Sequence, residues 1–224
     1  MQLIIGNKNY SSWSLRTWWL LKSIGASFNE VIVPLEQPET RATLLQYTPS
    51  GKVPVIINHE VTLWDTLAIT EYMNEYNIGV WPADHVMRAY ARAVSAEMHS
   101  SFLALRTEMP MNCNVRIKIQ PSTACAADIE RICAIWRDCR LNYGHLGPWL
   151  FGKWSAADAF FAPVVMRFNS YGVELDDVCS AYLHTVWFDP FIREWVADAA
   201  VETWAYPSTD AIAQAAQAAA QATA

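Results

Sequence analysis

Charge is scarce in this 224-residue chain: Lys, Arg, Asp and Glu make up 17%, against 53% hydrophobic residues. A disordered polymer needs the opposite balance, so a sizeable buried core is expected. What charge there is runs acidic, with a net charge of −6 and a sequence pI near 5.3. A field of that sign repels DNA and anionic bilayers, so no nucleic-acid or membrane partner is expected. Apolar runs are short, far below the roughly 20 residues a membrane helix needs. The first six residues carry no basic, apolar leader pattern, so no signal peptide is expected and the placement expected is cytoplasmic. The Asn9-Tyr10-Ser11 match to a glycosylation acceptor is then a chance one. Glycine totals eight. No G-x-G-x-x-G, no P-loop and no G-x-S-x-G elbow occurs, which removes the common nucleotide sites and nominates no hydrolase triad.

Cysteine is missing from residues 1–112. The five present are Cys113, Cys125, Cys133, Cys139 and Cys179. An odd number without Cys-x-x-Cys spacing makes neither a disulfide framework nor a zinc knuckle. They read as small buried hydrophobes in a reducing compartment. The five histidines, His59, His85, His99, His145 and His184, show no paired ligand spacing, so no metal is expected.

What is present divides in two. Residues 2–5, 28–35, 53–58 and 61–64 have strand patterns, and residues 14–24, 38–47 and 66–76 have helical ones. The order is β-α-β-α-β-β-α. The remainder reads as helix: 87–108, 124–143, 155–171, 177–187 and 190–201, with 112–122 a loop. The segment 155–171 is apolar almost all round, so it is expected at the centre. The expected division is 1–79 as an α/β domain, 80–86 as a linker overlapping the Gly- and Pro-containing stretch 78–84, 87–210 as an all-helical domain, and 211–224 as an Ala/Gln-rich tail forming a frayed helix. The 11 Trp and 9 Tyr point to aromatic packing or an aromatic-lined pocket.

Three segments of the first domain carry chemistry. Asn9-Tyr10-Ser11-Ser12-Trp13-Ser14-Leu15-Arg16 sits where the first strand turns into the first helix. Three serines in four positions exceed what one N-cap requires, and a helix start favours a bound anion, including a thiolate. Gly51-Lys52-Val53-Pro54-Val55 opens the third strand. A cis Val-Pro bond there would leave Val53 free to pair with an extended peptide ligand. Trp64-Asp65-Thr66 lies at a strand-to-helix turn. Both Asp65 and Thr66 suit capping; they also suit an amino-acid head group, carboxylate to ammonium and hydroxyl to carboxylate.

Together these segments resemble the glutathione transferase superfamily over about residues 1–205, namely its bacterial-type serine transferases with a zeta-like motif. The resemblance implies an α/β plus all-α fold, a thioredoxin-like N-terminal domain followed by an all-helical one. Ser11 to Arg16 is similar to the zeta serine motif, with Trp13 where that class has Cys. Lys52-Val53-Pro54 is similar to the cis-proline segment, with Lys52 where zeta members often carry Gln. Asp65-Thr66 is similar to the usual Glu/Asp-Ser pair. Glutathione is implied as co-substrate, with Trp13, Arg16, Lys52, Val53, Pro54, Asp65 and Thr66 binding it. Ser11 is implied as the donor to its sulfur, with Ser12 and Ser14 as rivals. The missing cysteine fits, because disulfide exchange needs a protein thiol at this helix start.

Conjugation of the glutathione thiolate to a small electrophile is therefore expected. The alternatives are a non-catalytic binding or scaffold protein and a glutathione-dependent isomerase or peroxidase. The resemblance also implies detoxification, a homodimer, and an acceptor pocket drawing on the 87–108 and 124–143 helices. Ser155 and Asp158, within Phe151-Gly152-Lys153-Trp154-Ser155-Ala156-Ala157-Asp158, resemble the family's buried capping box, and their reciprocal amide bonds make it structural.

Overall fold

The computed structural model describes residues 1–76 and 79–222. Its N-terminal part is a four-stranded sheet of β1 (Gln2–Ile5), β2 (Asn29–Ile32), β3 (Val55–Asn58) and β4 (Val61–Trp64), in the order β2-β1-β3-β4. β1 runs parallel to β2 and antiparallel to β3, and β3 is antiparallel to β4. Alternation along β1 sends Leu3 and Ile5 to one face and Ile4 to the other. Leu3 and Ile5 join Ile56 in the large core beneath α1 (Ser12–Ser23) and α3 (Thr66–Tyr76). Ile4 joins Val33, Val55 and Leu44, the last from α2 (Thr40–Leu44), in a small cluster on the opposite face. Covered on both faces, β1 reads as a continuous apolar run.

The rest is helical: α4 (His85–Ser100), α5 (Leu103–Glu108), α6 (Thr123–Tyr143), a 3-10 turn (Gly144–Leu146), α7 (Ala156–Ser170), α8 (Asp177–Trp187), α9 (Pro190–Val201) and α10 (Pro207–Ala222). The thioredoxin-like sheet domain followed by a helical domain is thus the observed architecture. α7 is the central post. It is buried along all but one residue and packs against α1, α4 and α8. Trp18 and Trp19 of α1 are fully buried in the same core as Trp136 of α6 and Trp195 of α9, so one core joins the two parts.

The α7 start is fixed by Ser155 and Asp158. Both arms of the box are in place, with unequal strength. The Asp158 carboxylate accepts from the Ser155 amide at 2.9 Å, and also from the Leu150 amide at 3.1 Å and the Tyr182 hydroxyl at 3.0 Å. The hydroxyl arm is loose: the Asp158 amide makes its bond to the Ser155 carbonyl at 3.0 Å, and Ser155 Oγ gains no full partner.

Two expectations are corrected. The 87–108 helix is broken, because Phe102 adopts a left-handed conformation at φ 66° between α4 and α5. Met98, Phe102 and Leu105 keep helical spacing across the break, which hid it from periodicity. The break lets Arg106 fold back, so that its Nε donates to Ser101 O at 3.0 Å and its Nη2 to Met98 O. Those are carbonyls that the end of α4 leaves open. The last helix also begins ahead of the 211–224 tail, at Pro207, and is anchored by its first turns. In α10 Thr209 and Ala213 are buried, and Asp210 accepts from Tyr10 Oη at 3.0 Å and Asn112 Nδ2 at 3.2 Å. Residues 223 and 224 of that tail, and Ile78 of the linker stretch, lie outside the described residues. Val80 and Trp81 of that stretch are buried.

All five cysteines are free and buried. Burial pushes the thiols of Cys113 and Cys139 up to about 12. With all five thiols buried, a thiol reagent added to the folded protein should find no fast-reacting group, and five after unfolding. A fast stoichiometric reaction before unfolding would contradict this packing.

Candidate active site

The β1–α1 loop is held from behind by the C-terminal segments. Lys8 is buried between Trp18 and Trp195, with its ammonium 5.0 and 5.5 Å from their ring centres. That ammonium pairs with Glu30 at 2.9 Å and Asp198 at 2.7 Å. The Glu202 carboxylate accepts from the amides of Lys8 and Asn9 at 2.6 and 2.9 Å. Trp195 Nε1 donates to Lys8 O at 2.8 Å, and the Cys113 amide to Asn9 O at 3.1 Å. A loop with this many ties presents the start of α1 in one geometry.

At that start the three serines differ. Ser11 is the N-cap, its Oγ accepting from the Ser14 amide at 3.3 Å. It also donates to Ser14 Oγ at 2.7 Å. Ser14 is fully buried, and its Oγ accepts from the Gly6 amide at 3.0 Å as well. Ser12 is buried, and among the described residues its hydroxyl makes no hydrogen bond.

A cavity of about 690 Å³ opens in front of this helix start. It is lined by Trp13, Ser50, Lys52, Val53, Pro54, Trp64, Asp65, Thr66 and His99. Six residues singled out from sequence thus meet there: Trp13, Lys52, Val53, Pro54, Asp65 and Thr66. The Val53–Pro54 bond is cis. Ser11, Ser12, Ser14 and Arg16 stand behind this wall rather than in it. Among the described residues of the second part, only His99 reaches the lining, with none from α6.

Asp65 holds a left-handed backbone at φ 73°. Its Oδ1 caps α3 by accepting from the amides of Leu67 and Ala68 at 2.8 and 3.3 Å. Its other oxygen lies 3.2 Å from His99 Nε2, while His99 Nδ1 lies 3.3 Å from Thr66 Oγ1. Sequence alone gave His99 no partner, because its contacts come from a helix some 33 residues away in the chain.

The wall behind Trp13 is cationic. The Arg16 guanidinium stacks 4.4 Å from the Trp13 ring centre and 5.2 Å from that of Phe160. Arg106 covers Trp13 as well, at 5.2 Å. Arg16 is buried; its Nη2 reaches Met98 O at 3.5 Å, and its Nε and Nη1 have no hydrogen-bond partner among the described residues. Burial holds its pKa well below the usual arginine range, and Arg106 and Arg167 push the same way. Burial likewise brings Arg167 down to about 9. These guanidiniums face few carboxylates, so they leave positive potential at the helix start, where an anion is favoured.

Comparison with known proteins bears on the N-terminal segment and on the fold. Residues 10–75 match the family model "Glutathione S-transferase, N-terminal domain". The chain is 31% identical over 86 residues to a probable maleylacetoacetate isomerase of Caenorhabditis elegans, a match that takes in 38% of this chain and 39% of that protein's length. Among solved structures, a glutathione transferase homolog from Burkholderia with bound glutathione superposes at a TM-score of 0.68 with 22% identity, covering 90% of this chain and 98% of that one. A bacterial zeta-class maleyl pyruvate isomerase gives 0.69 at 20% identity, covering 92% and 100%. These two likenesses establish the fold. The resemblance to the glutathione transferase superfamily is therefore supported by sequence over residues 10–75, and over most of the chain the likeness is one of fold.

Proposed function

We propose that this protein is a glutathione-dependent enzyme that conjugates the glutathione thiolate to a small electrophile. The observation carrying this reading is the single cavity that joins the cis Val53–Pro54 segment, the Asp65–Thr66 pair and Trp13 at the α1 start. Val53 offers backbone groups to an extended tripeptide, Asp65 takes its ammonium, and Thr66 with the α3 start takes its carboxylate. The thiol then falls toward the α1 start. The hydroxyl pair there has two settings. When Ser14 donates to Ser11 Oγ, the Ser11 proton is released to the sulfur. That bond and the buried guanidiniums lower the thiol pKa, and the thiol proton leaves to solvent. The thiolate forms the new S–C bond as the leaving group departs with its electron pair.

A glutathione titration followed by calorimetry tests the site. Saturation between micromolar and millimolar is expected. No heat up to about 10 mM, weaker than about −2.7 kcal/mol, would sink the proposal and favour a scaffold role. Homodimerisation, detoxification and cytoplasmic placement belong to the same reading; gel filtration tests the dimer.

A second reading, glutathione-dependent cis–trans isomerisation, draws on the likeness to the probable maleylacetoacetate isomerase. Isomerisation returns glutathione unchanged and conjugation consumes it, so the stoichiometry of turnover separates them.

A further inference from the structure

His99 is the one residue of α4 in the cavity wall, and it occupies both groups assigned above to the amino-acid head. Its partners fix its tautomer. A carboxylate oxygen at 3.2 Å requires a proton on Nε2, since a bare ring nitrogen would face it lone pair to lone pair. A neutral ring then has no proton on Nδ1, and Thr66 Oγ1 at 3.3 Å must donate to it. In that state the Thr66 proton is spent on the imidazole and is not offered to a ligand carboxylate.

Protonation reverses the second bond. With Nδ1 carrying a proton, the ring donates to Thr66 Oγ1, and the hydroxyl proton turns outward. Resting on the glutathione reading, we propose that His99 is a further head-group residue that takes up a proton as the ligand binds, converting Thr66 into a donor to the ligand's α-carboxylate. The charged surroundings set the direction. Burial holds the His99 pKa below its usual value; Asp65 at the α3 start raises it, while Arg16 on α1 and Arg106 on α5 lower it. Its ring contacts, Trp13 at 5.0 Å and Phe160 on α7 at 6.3 Å, are uncharged, and Lys52 lines the same cavity. Without ligand, two guanidiniums oppose a third positive charge. The α-ammonium on Asp65 opposes that charge and the α-carboxylate beside Thr66 favours it; Thr66 can donate to that carboxylate only when Nδ1 carries a proton, so proton uptake follows from the Thr66 bond.

Linkage then requires tighter binding at lower pH, by up to about tenfold per pH unit between the free and bound pKa values. The probe is S-methylglutathione, whose sulfur has no proton to lose. Calorimetry in buffers of different ionisation enthalpy, from about pH 5.5 to 8, should show net uptake approaching one proton per ligand bound. In His99→Gln, uncharged throughout, the uptake should vanish and acid-side affinity should fall to the alkaline value, with thermal unfolding checking its fold. Binding by the natural protein without proton uptake, or uptake that persists in His99→Gln, overturns the role of His99 and leaves the head-group site standing. Absence of binding at every pH overturns the glutathione reading and this inference with it.

Discussion

Replacing Asp158 with alanine should lower stability by about 4 kcal/mol, a fall of roughly 10 °C in Tm for a chain of this size. The carboxylate is fully buried and receives two amides and the Tyr182 hydroxyl. Alanine leaves all three donors unpaired at the start of the central helix. Burial also pushes the Asp158 pKa up to about 6. A carboxyl raised in the folded state contributes most below its unfolded value and loses that contribution as pH rises through about 6. The gap between the natural protein and Asp158→Ala, read from urea unfolding, should therefore be wider at pH 4.5 than at pH 7.5. A variant that melts like the natural protein would mean that the α7 start is held by something else.

Ser11→Ala should cut turnover by roughly ten- to a hundredfold, while affinity for S-methylglutathione stays unchanged. The size follows from the loss of a hydrogen bond to an ionised group, about 1.5–3 kcal/mol. The ultraviolet titration of bound glutathione should move to higher pH in parallel, because the thiolate has lost its donor. The variant also loses the N-cap, about 1 kcal/mol of stability, which thermal unfolding reads separately. Ser12→Ala is the comparison, since the Ser12 hydroxyl is unbonded among the described residues. A large loss in Ser12→Ala with none in Ser11→Ala would move the role by one residue.

The strands, most helix bounds and the Asp158 box were legible because each rests on local rules. Alternation marks a sheet face, a three-to-four step marks a helix face, and Ser or Asp followed by a free amide marks a helix start. The break at Phe102 escaped for the same reason. The core selects apolar spacing, and Met98, Phe102 and Leu105 satisfy that spacing on either side of a left-handed residue. The start of the last helix escaped because its anchor is one carboxylate, Asp210, whose partners lie about a hundred and two hundred residues away in the chain.

The sequence by itself determined the two-part architecture, the three N-terminal segments, and the lack of any thiol before residue 113. These follow from residue type and near spacing. Only the tertiary structure decided which serine is sealed inside, that Arg16 and Arg106 bracket Trp13, and that His99 closes on Asp65 and Thr66. Burial sets the strength of a charge, and contact sets the direction of a proton. Both depend on segments that become neighbours only when α1, α4 and α5 come together in the folded chain.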